Sequence, residues 1–213
     1  MIASLSKPWG DETREYPGVF VGGYHLVWPR DLYHVSLAML EAGDVATPKR
    51  TLTFLKSIQY QDGEWKFHGR TIKRKGAFPQ NVWTDKKQYW GGLQLDQVGY
   101  PVQLFYQLYK RANETQKREL LKEYGDMVKL ALDFIATYGP WSAQERWEEN
   151  FGISPSTFSV ATAALYIGTR IYGDKKYENI ANTWMYKPYD NIHSWTFTTV
   201  SYTHLRAHET DSY

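Results

Sequence analysis

Cysteine is absent from the 213 residues, so neither a disulfide framework nor a thiolate metal site is available, and the redox compartment stays undetermined. No run of about 18 apolar residues occurs, so no segment reads as a membrane-spanning helix. The opening MIASLSKPWG lacks a charged stretch followed by an apolar one and is not expected to act as a signal peptide. Excess charge is scarce as well. Lys and Arg number 25 against 23 Asp and Glu, leaving +2, too little for the basic face or stripe that nucleic acid requires. The one concentrated basic stretch, TIKRKG at 71–76, reads as a solvated loop or a partner contact. Strand-type alternation is missing throughout, which makes the expected class all-α.

Aromatic residues are what the chain has in plenty. Nine Trp and 17 Tyr exceed the needs of a core, and amphipathic rings with polar tips suit a wet cleft that stacks on flat ligands such as sugars or nucleobases. The hydrophobic share of 42% and the charged share of 23% are those of an ordinary globular chain. The length fits one large domain or part of a bigger one.

Helical periodicity organises the body. Residues 30–43 carry Leu32, Val35, Leu37 or Ala38, and Leu40 as one apolar stripe and close at Gly43. A second helix opens with Thr47 as cap to Pro48, repeats Leu52, Leu55 and Ile58, and stops at the turn Asp62-Gly63. Residues 64–92 show no clean period and read as a long loop, a length that usually signals function. Further helices are expected at 97–111, 115–137, 155–172 (Ser154 as cap, Pro155 just inside) and 175–186. Alternating helices and loops fit a helical toroid or a repeat array, although the loops are too uneven for a clean repeat.

Several clusters carry possible chemistry. QERWEEN, 144–150, gathers three carboxylates and a tryptophan, and blandly it is a solvated acidic face. A glycosidase needs two carboxyl groups facing each other across a sugar bond. Glu148 and Glu149 cannot be that pair, because adjacent side chains diverge by about 100° on a helix and to opposite faces of a strand. Trp28, Arg30 and Asp31 sit where a helix begins. The rigid donor fork of Arg and the acceptors of Asp suit the hydroxyls of one sugar edge. Asp31 would equally serve as a helix N-terminal charge worth about 0.3–1 kcal/mol, with Arg30 as surface partner. Trp90 offers a stacking face and a donor, while Asp96 reads mainly as the cap of the helix that follows it.

Three strings in order, GGYHLVWPRDLYH (22–34), FPQNVW with YWGGLQLDQ (within 78–97) and GPWSAQERWEENFGISPST (139–157), resemble bacterial-type glucoamylases of the inverting glucoamylase/glucodextranase glycoside hydrolase family. The resemblance covers roughly residues 3 to 199. It implies an (α/α)6 barrel, an inner ring of helices within an outer ring, of which this chain would be an incomplete part. It also implies release of glucose from the non-reducing ends of α-glucans. Carried over residue by residue, Glu148 is the general acid, Glu149 binds the next sugar unit, Trp147 is a wall, Arg30 and Asp31 hold the terminal glucose, Trp28 lies beside them, Trp90 covers the bound sugar and Tyr24 contacts the catalytic base. That base would lie beyond residue 199, so the chain alone is expected to turn nothing over. A general acid must stay protonated, and Trp147 and Glu149 are the neighbours expected to favour that form.

The segment 200–213, VSYTHLRAHETDSY, resembles the translation of a transposase adapter used in sequencing libraries, so native sequence is expected to stop being read near Thr199 and to continue differently beyond it. His204 and His208 are then no metal pair, and no metal site is expected. The resemblance implies an α-glucan or oligosaccharide substrate, no nucleic acid or membrane partner and no cofactor, and leaves calcium open. Its members are often exported, but any signal region would precede Met1. Rival readings are a glucodextranase or trehalase of the same family, a non-catalytic helical glycan-binding module, and a helical-repeat interaction scaffold.

Overall fold

The structure, a computed structural model, describes residues 25–67 and 69–186; Tyr24 and the 200–213 tail lie outside them. Six helices are present among those residues: α1 (Pro29–Glu41), α2 (Ala46–Ile58), α3 (Asp96–Arg111), α4 (Glu114–Tyr138), α5 (Pro155–Tyr172) and α6 (Lys175–Tyr186), with one short hairpin of β1 (Glu64–Phe67) and β2 (Arg70–Lys73). The all-α expectation holds, and the helices lie within two residues of their expected bounds except at the end of α2, which stops at Ile58, short of the turn at Asp62-Gly63.

Consecutive helices pair as α1/α2, α3/α4 and α5/α6. The odd helices pack side by side with α3 in the middle, and the even ones form a second, looser row behind them. This is the two-layered plan of a partial (α/α)6 toroid. The core fills the space between the rows, with Leu52, Leu55, Leu104, Phe105, Phe134 and Leu132 fully buried. α3 and α5 approach closely because residue 99 is glycine. A Cβ there would meet Val160 Cγ1 at 2.7 Å and the Val160 carbonyl oxygen at 3.1 Å.

Local signals explain most boundaries. Pro29 and Pro155 occupy first helical positions, where the missing N–H costs nothing. α4 opens on a reciprocal capping box between Asn113 and Gln116, and α5 stops at Gly173 in the left-handed region, φ 70°.

Four expectations need correction. Val35 is exposed, and Ser36 takes the buried position on α1, bonded to Thr51 Oγ1 at 2.9 Å. Thr47 does not cap α2. The carboxylate of Asp44 accepts its backbone N–H at 3.0 Å. Ser154 makes no capping bond and its hydroxyl meets Ser156 instead. Finally, 64–92 is not one structureless loop. Glu64 pairs with Lys73 and Trp65 with Ile72 in β1/β2, so the first half of TIKRKG is strand and the rest is turn, with Arg74 over the Tyr60 ring at 4.7 Å. Val82 then bridges to both Val27 and Gln88, tying the following turn to the entry of α1.

Candidate active site

The starts of the inner helices meet at one end of the molecule. Arg30, in the first turn of α1, donates from Nη1 to Asp96 at 2.7 Å and to Gln94 at 3.2 Å, at the start of α3. Its backbone N–H reaches Gln97 at 3.3 Å. Asp96 is therefore the buried ion partner of Arg30 rather than mainly a cap, and the N-cap position belongs to Leu95. Such a pair fixes geometry more surely than it adds stability.

The loop before α5 folds as a narrow finger. Ser142 and Gly152 exchange backbone bonds at 2.8 and 2.9 Å, and Glu145 N–H bonds the Asn150 carbonyl at 2.8 Å. The finger is anchored by Gln144 N–H on the Leu93 carbonyl, 3.0 Å. Glu145, 4% exposed, turns its carboxylate back into the tip, accepting the N–H groups of Trp147 at 2.7 Å and Glu149 at 3.0 Å. Between those two N–H groups, Glu148 sits at φ +68°. The left-handed region costs a side-chain-bearing residue about 1–2 kcal/mol, and the Glu145 clamp on both flanking residues holds it there. The Glu148 carboxylate is thereby carried to the ends of α1 and α3, where its Oε1 accepts from Gln80 Nε2 at 2.6 Å and Gln94 Nε2 at 3.3 Å.

A cleft of about 340 Å³ opens here, lined by Trp28, Arg30, Asp31, Trp90, Arg146, Trp147 and Glu148. That volume is near the lower end of the range for small-molecule sites, about 300–1,000 Å³. Trp28 and Trp90 form one wall as an edge-to-face pair with centroids 6.2 Å apart. Trp90 N–H is fixed by Asn81 Oδ1 at 2.9 Å. One turn beyond Asp31, burial pushes the His34 imidazole below its ordinary range. Asp31 pulls it back up, Arg146 and Arg30 push it further down, and Asp96 opposes them. The balance favours the neutral form of His34.

Of the residues singled out in the sequence, Trp28, Arg30, Asp31, Trp90, Trp147 and Glu148 share this cleft. Trp147 is 66% exposed, with the Arg146 guanidinium 5.7 Å from its ring, so it edges the cleft instead of burying Glu148. Glu149 is exposed and does not line the cleft. Sequence reasoning missed Arg146, Gln80 and Glu145. Only Arg146 carries a local signal, its place inside the acidic run. A larger groove of about 550 Å³ beside Arg70, Tyr138 and Trp141 has no carboxylate in its lining. Among the described residues no group of three or more His, Asp or Glu side chains is placed to hold a metal ion, and no helix is long and apolar enough to cross a membrane.

Comparison with known proteins fits this geometry. The family described as "Glycosyl hydrolases family 15" matches residues 1–212. A glucoamylase of Clostridium sp. (strain G0005) is 38% identical over 198 residues, which is 90% of this chain and 24% of that protein. An uncharacterized glycosyl hydrolase of Methanocaldococcus jannaschii is 26% identical over 149 residues, 67% of this chain and 21% of that one. Among solved structures, a bacterial glucoamylase crystallised with acarbose matches at a TM-score of 0.63 and 39% identity, covering 86% of this chain and 24% of its own. The chain therefore spans about a quarter of the length of these relatives.

Proposed function

This chain belongs to the glycosyl hydrolases of family 15, and from that premise we propose that the protein containing it is an exo-acting glucosidase that removes glucose from the non-reducing ends of α-glucans. The observation that carries the proposal is the Glu148 carboxylate, held by two amides at the rim of a cleft that is also lined by Asp31, two arginines and three tryptophans.

In this reading, Arg30 and Asp31 orient the hydroxyls of the terminal ring, and Trp28 and Trp90 exclude water from its faces. Glu148 gives its proton to the glycosidic oxygen as the bond from that oxygen to C1 breaks. Water attacks C1 from the opposite face, loses its proton to a carboxylate outside residues 25–186, and β-glucose leaves. In an inverting enzyme the two carboxyl groups stand roughly 6.5–9.5 Å apart, leaving room for that water. Trp147, at the cleft edge, borders the next sugar unit, and Glu149 would meet that unit outside the cleft. No cofactor enters the scheme. The chain on its own would bind sugar without turnover.

The test is glucose release from maltose, isomaltose and trehalose by the full-length protein and its Glu148→Gln variant, with the product anomer followed by NMR. General acid catalysis contributes about 10²–10⁴-fold, so Glu148→Gln should lose that much kcat on the preferred disaccharide, and β-glucose should appear first. First release of α-glucose would overturn inversion. Binding of maltose without turnover by the full-length protein would replace the enzyme reading with a glycan-binding one.

A further inference from the structure

We propose that Gln80 is a positioning residue for the general acid: its amide fixes Glu148 Oε1, so that the transferable proton is carried on Oε2. The inference rests on the reading of Glu148 as the acid. Gln80 is 3% exposed and belongs to neither the finger nor an inner helix. It comes from the segment that Val82 ties to Val27. Its Nε2 donates to Glu148 Oε1 at 2.6 Å, and Gln94 Nε2 donates to the same oxygen at 3.3 Å. A carboxylate oxygen offers two lone-pair sites. Both on Oε1 are taken, and among the described residues nothing bonds Oε2.

The Gln80 amide reaches Glu148 across a backbone position that carries no side chain. A Cβ on Gly92 would lie 2.5 Å from Gln80 Oε1 and 2.6 Å from Gln144 Oε1, so the bare backbone of residue 92 is what lets the Gln80 amide occupy this place. Gln94 cannot substitute for it. Gln94 Oε1 accepts from Arg30 at 3.2 Å and from Gln97 at 2.6 Å, and its amide is shared with the Glu145 carbonyl at 3.3 Å. Its bonds thus run toward the sugar-holding arginine as well as the acid. Gln80 acts on the acid alone.

A positioning role leaves a signature that general damage does not. Departure of a sugar alcohol from C1 needs a proton from Glu148, whereas fluoride leaves α-glucosyl fluoride with little such help, water supplying the new bond and its proton going to the base. The experiment measures kcat on maltose and on α-glucosyl fluoride for wild type, Glu148→Gln, Gln80→Met and Gly92→Ala in the full-length protein. A small misplacement of a catalytic group costs up to about 10²-fold. The maltose-to-fluoride ratio should therefore fall by about 10- to 10²-fold in Gln80→Met. It should fall in the same direction in Gly92→Ala, whose added methyl crowds the amides of both Gln80 and Gln144. Gln80→Asn, one methylene short, should be intermediate and serves if Gln80→Met fails to fold. An unchanged ratio in the Gln80 variants, whether both activities drop together or neither does, overturns the positioning role. An unchanged ratio in Glu148→Gln instead overturns the assignment of the acid itself.

Discussion

The three carboxylates of QERWEEN have three different environments, and the least conspicuous one builds the site. Glu145 is the buried member, and its two oxygens each take a backbone N–H from the finger tip. Replacing it with Gln keeps the shape but turns one acceptor into a donor facing a donor. An orphaned buried N–H costs about 1–3 kcal/mol. Glu145→Gln should therefore lower the unfolding free energy by that amount and reduce kcat more than it changes KM, because it is the placement of Glu148 that loosens. Urea titration with steady-state kinetics checks both, and wild-type values in each would show that the clamp is idle. At this scale the sequence was half legible. Trp28, Arg30, Asp31 and Glu148 stand out by residue type. Glu145 does not, because a carboxylate serving its own loop can be recognised only once the loop is closed. Asp96 reads as a cap for a similar reason: its partner Arg30 is 66 residues away, and no spacing rule links them.

Among the elements, the helices were legible because each carries at least three turns of apolar repeat and most have a Pro, Gly or capping residue at an end. The hairpin was not, since each four-residue strand buries a single side chain, Trp65 or Ile72, which is too short for a period of two to register. The outer row contains another device that periodicity hides. Asp133 of α4 accepts from Lys129 at 3.0 Å, from Lys176 at 3.1 Å and from the Tyr177 hydroxyl at 2.8 Å, the last two on α6. Burial by itself would raise the Asp133 carboxyl, but the bonds from Lys129, Tyr177 and Lys176 outweigh it and hold the group below its ordinary value of about 3.8. A depressed carboxyl contributes stability that is fully present above the unfolded pKa and is lost as pH falls through the folded one. Asp133→Asn should thus unfold at lower temperature than wild type near pH 6, with the gap narrowing as pH drops below about 4. Melting curves at stepped pH decide this, and two parallel profiles would mean that the carboxylate's charge does not tie α4 to α6.

For the molecule as a whole, the decisive fact is that α3 has neighbours on every side. It packs on α1 and α5 within the inner row and on α2 and α4 behind it, whereas among the described residues α6 packs mainly on α5 and only lightly on α4. Val98, Val102, Leu104 and Phe105 on α3 are fully buried. Local stability follows such packing, so opening should be cheapest at α6 and reach the global unfolding free energy at α3. Amide hydrogen exchange read by mass spectrometry should find the slowest exchange within residues 98–108 and the fastest helical exchange within 175–186. The reverse order, or uniform protection, would show that the hairpins do not share their stability through α3. The arrangement also explains where the site stands. Gln94, Asp96 and Gln97 lie at the start of this best-supported helix, and through them Arg30 from α1 and Glu148 from the finger before α5 are referred to one rigid frame. Proton transfer tolerates little positional error, and joining both groups to α3 keeps the sugar-holding arginine and the acid in register even though their own segments are separated by more than a hundred residues of chain.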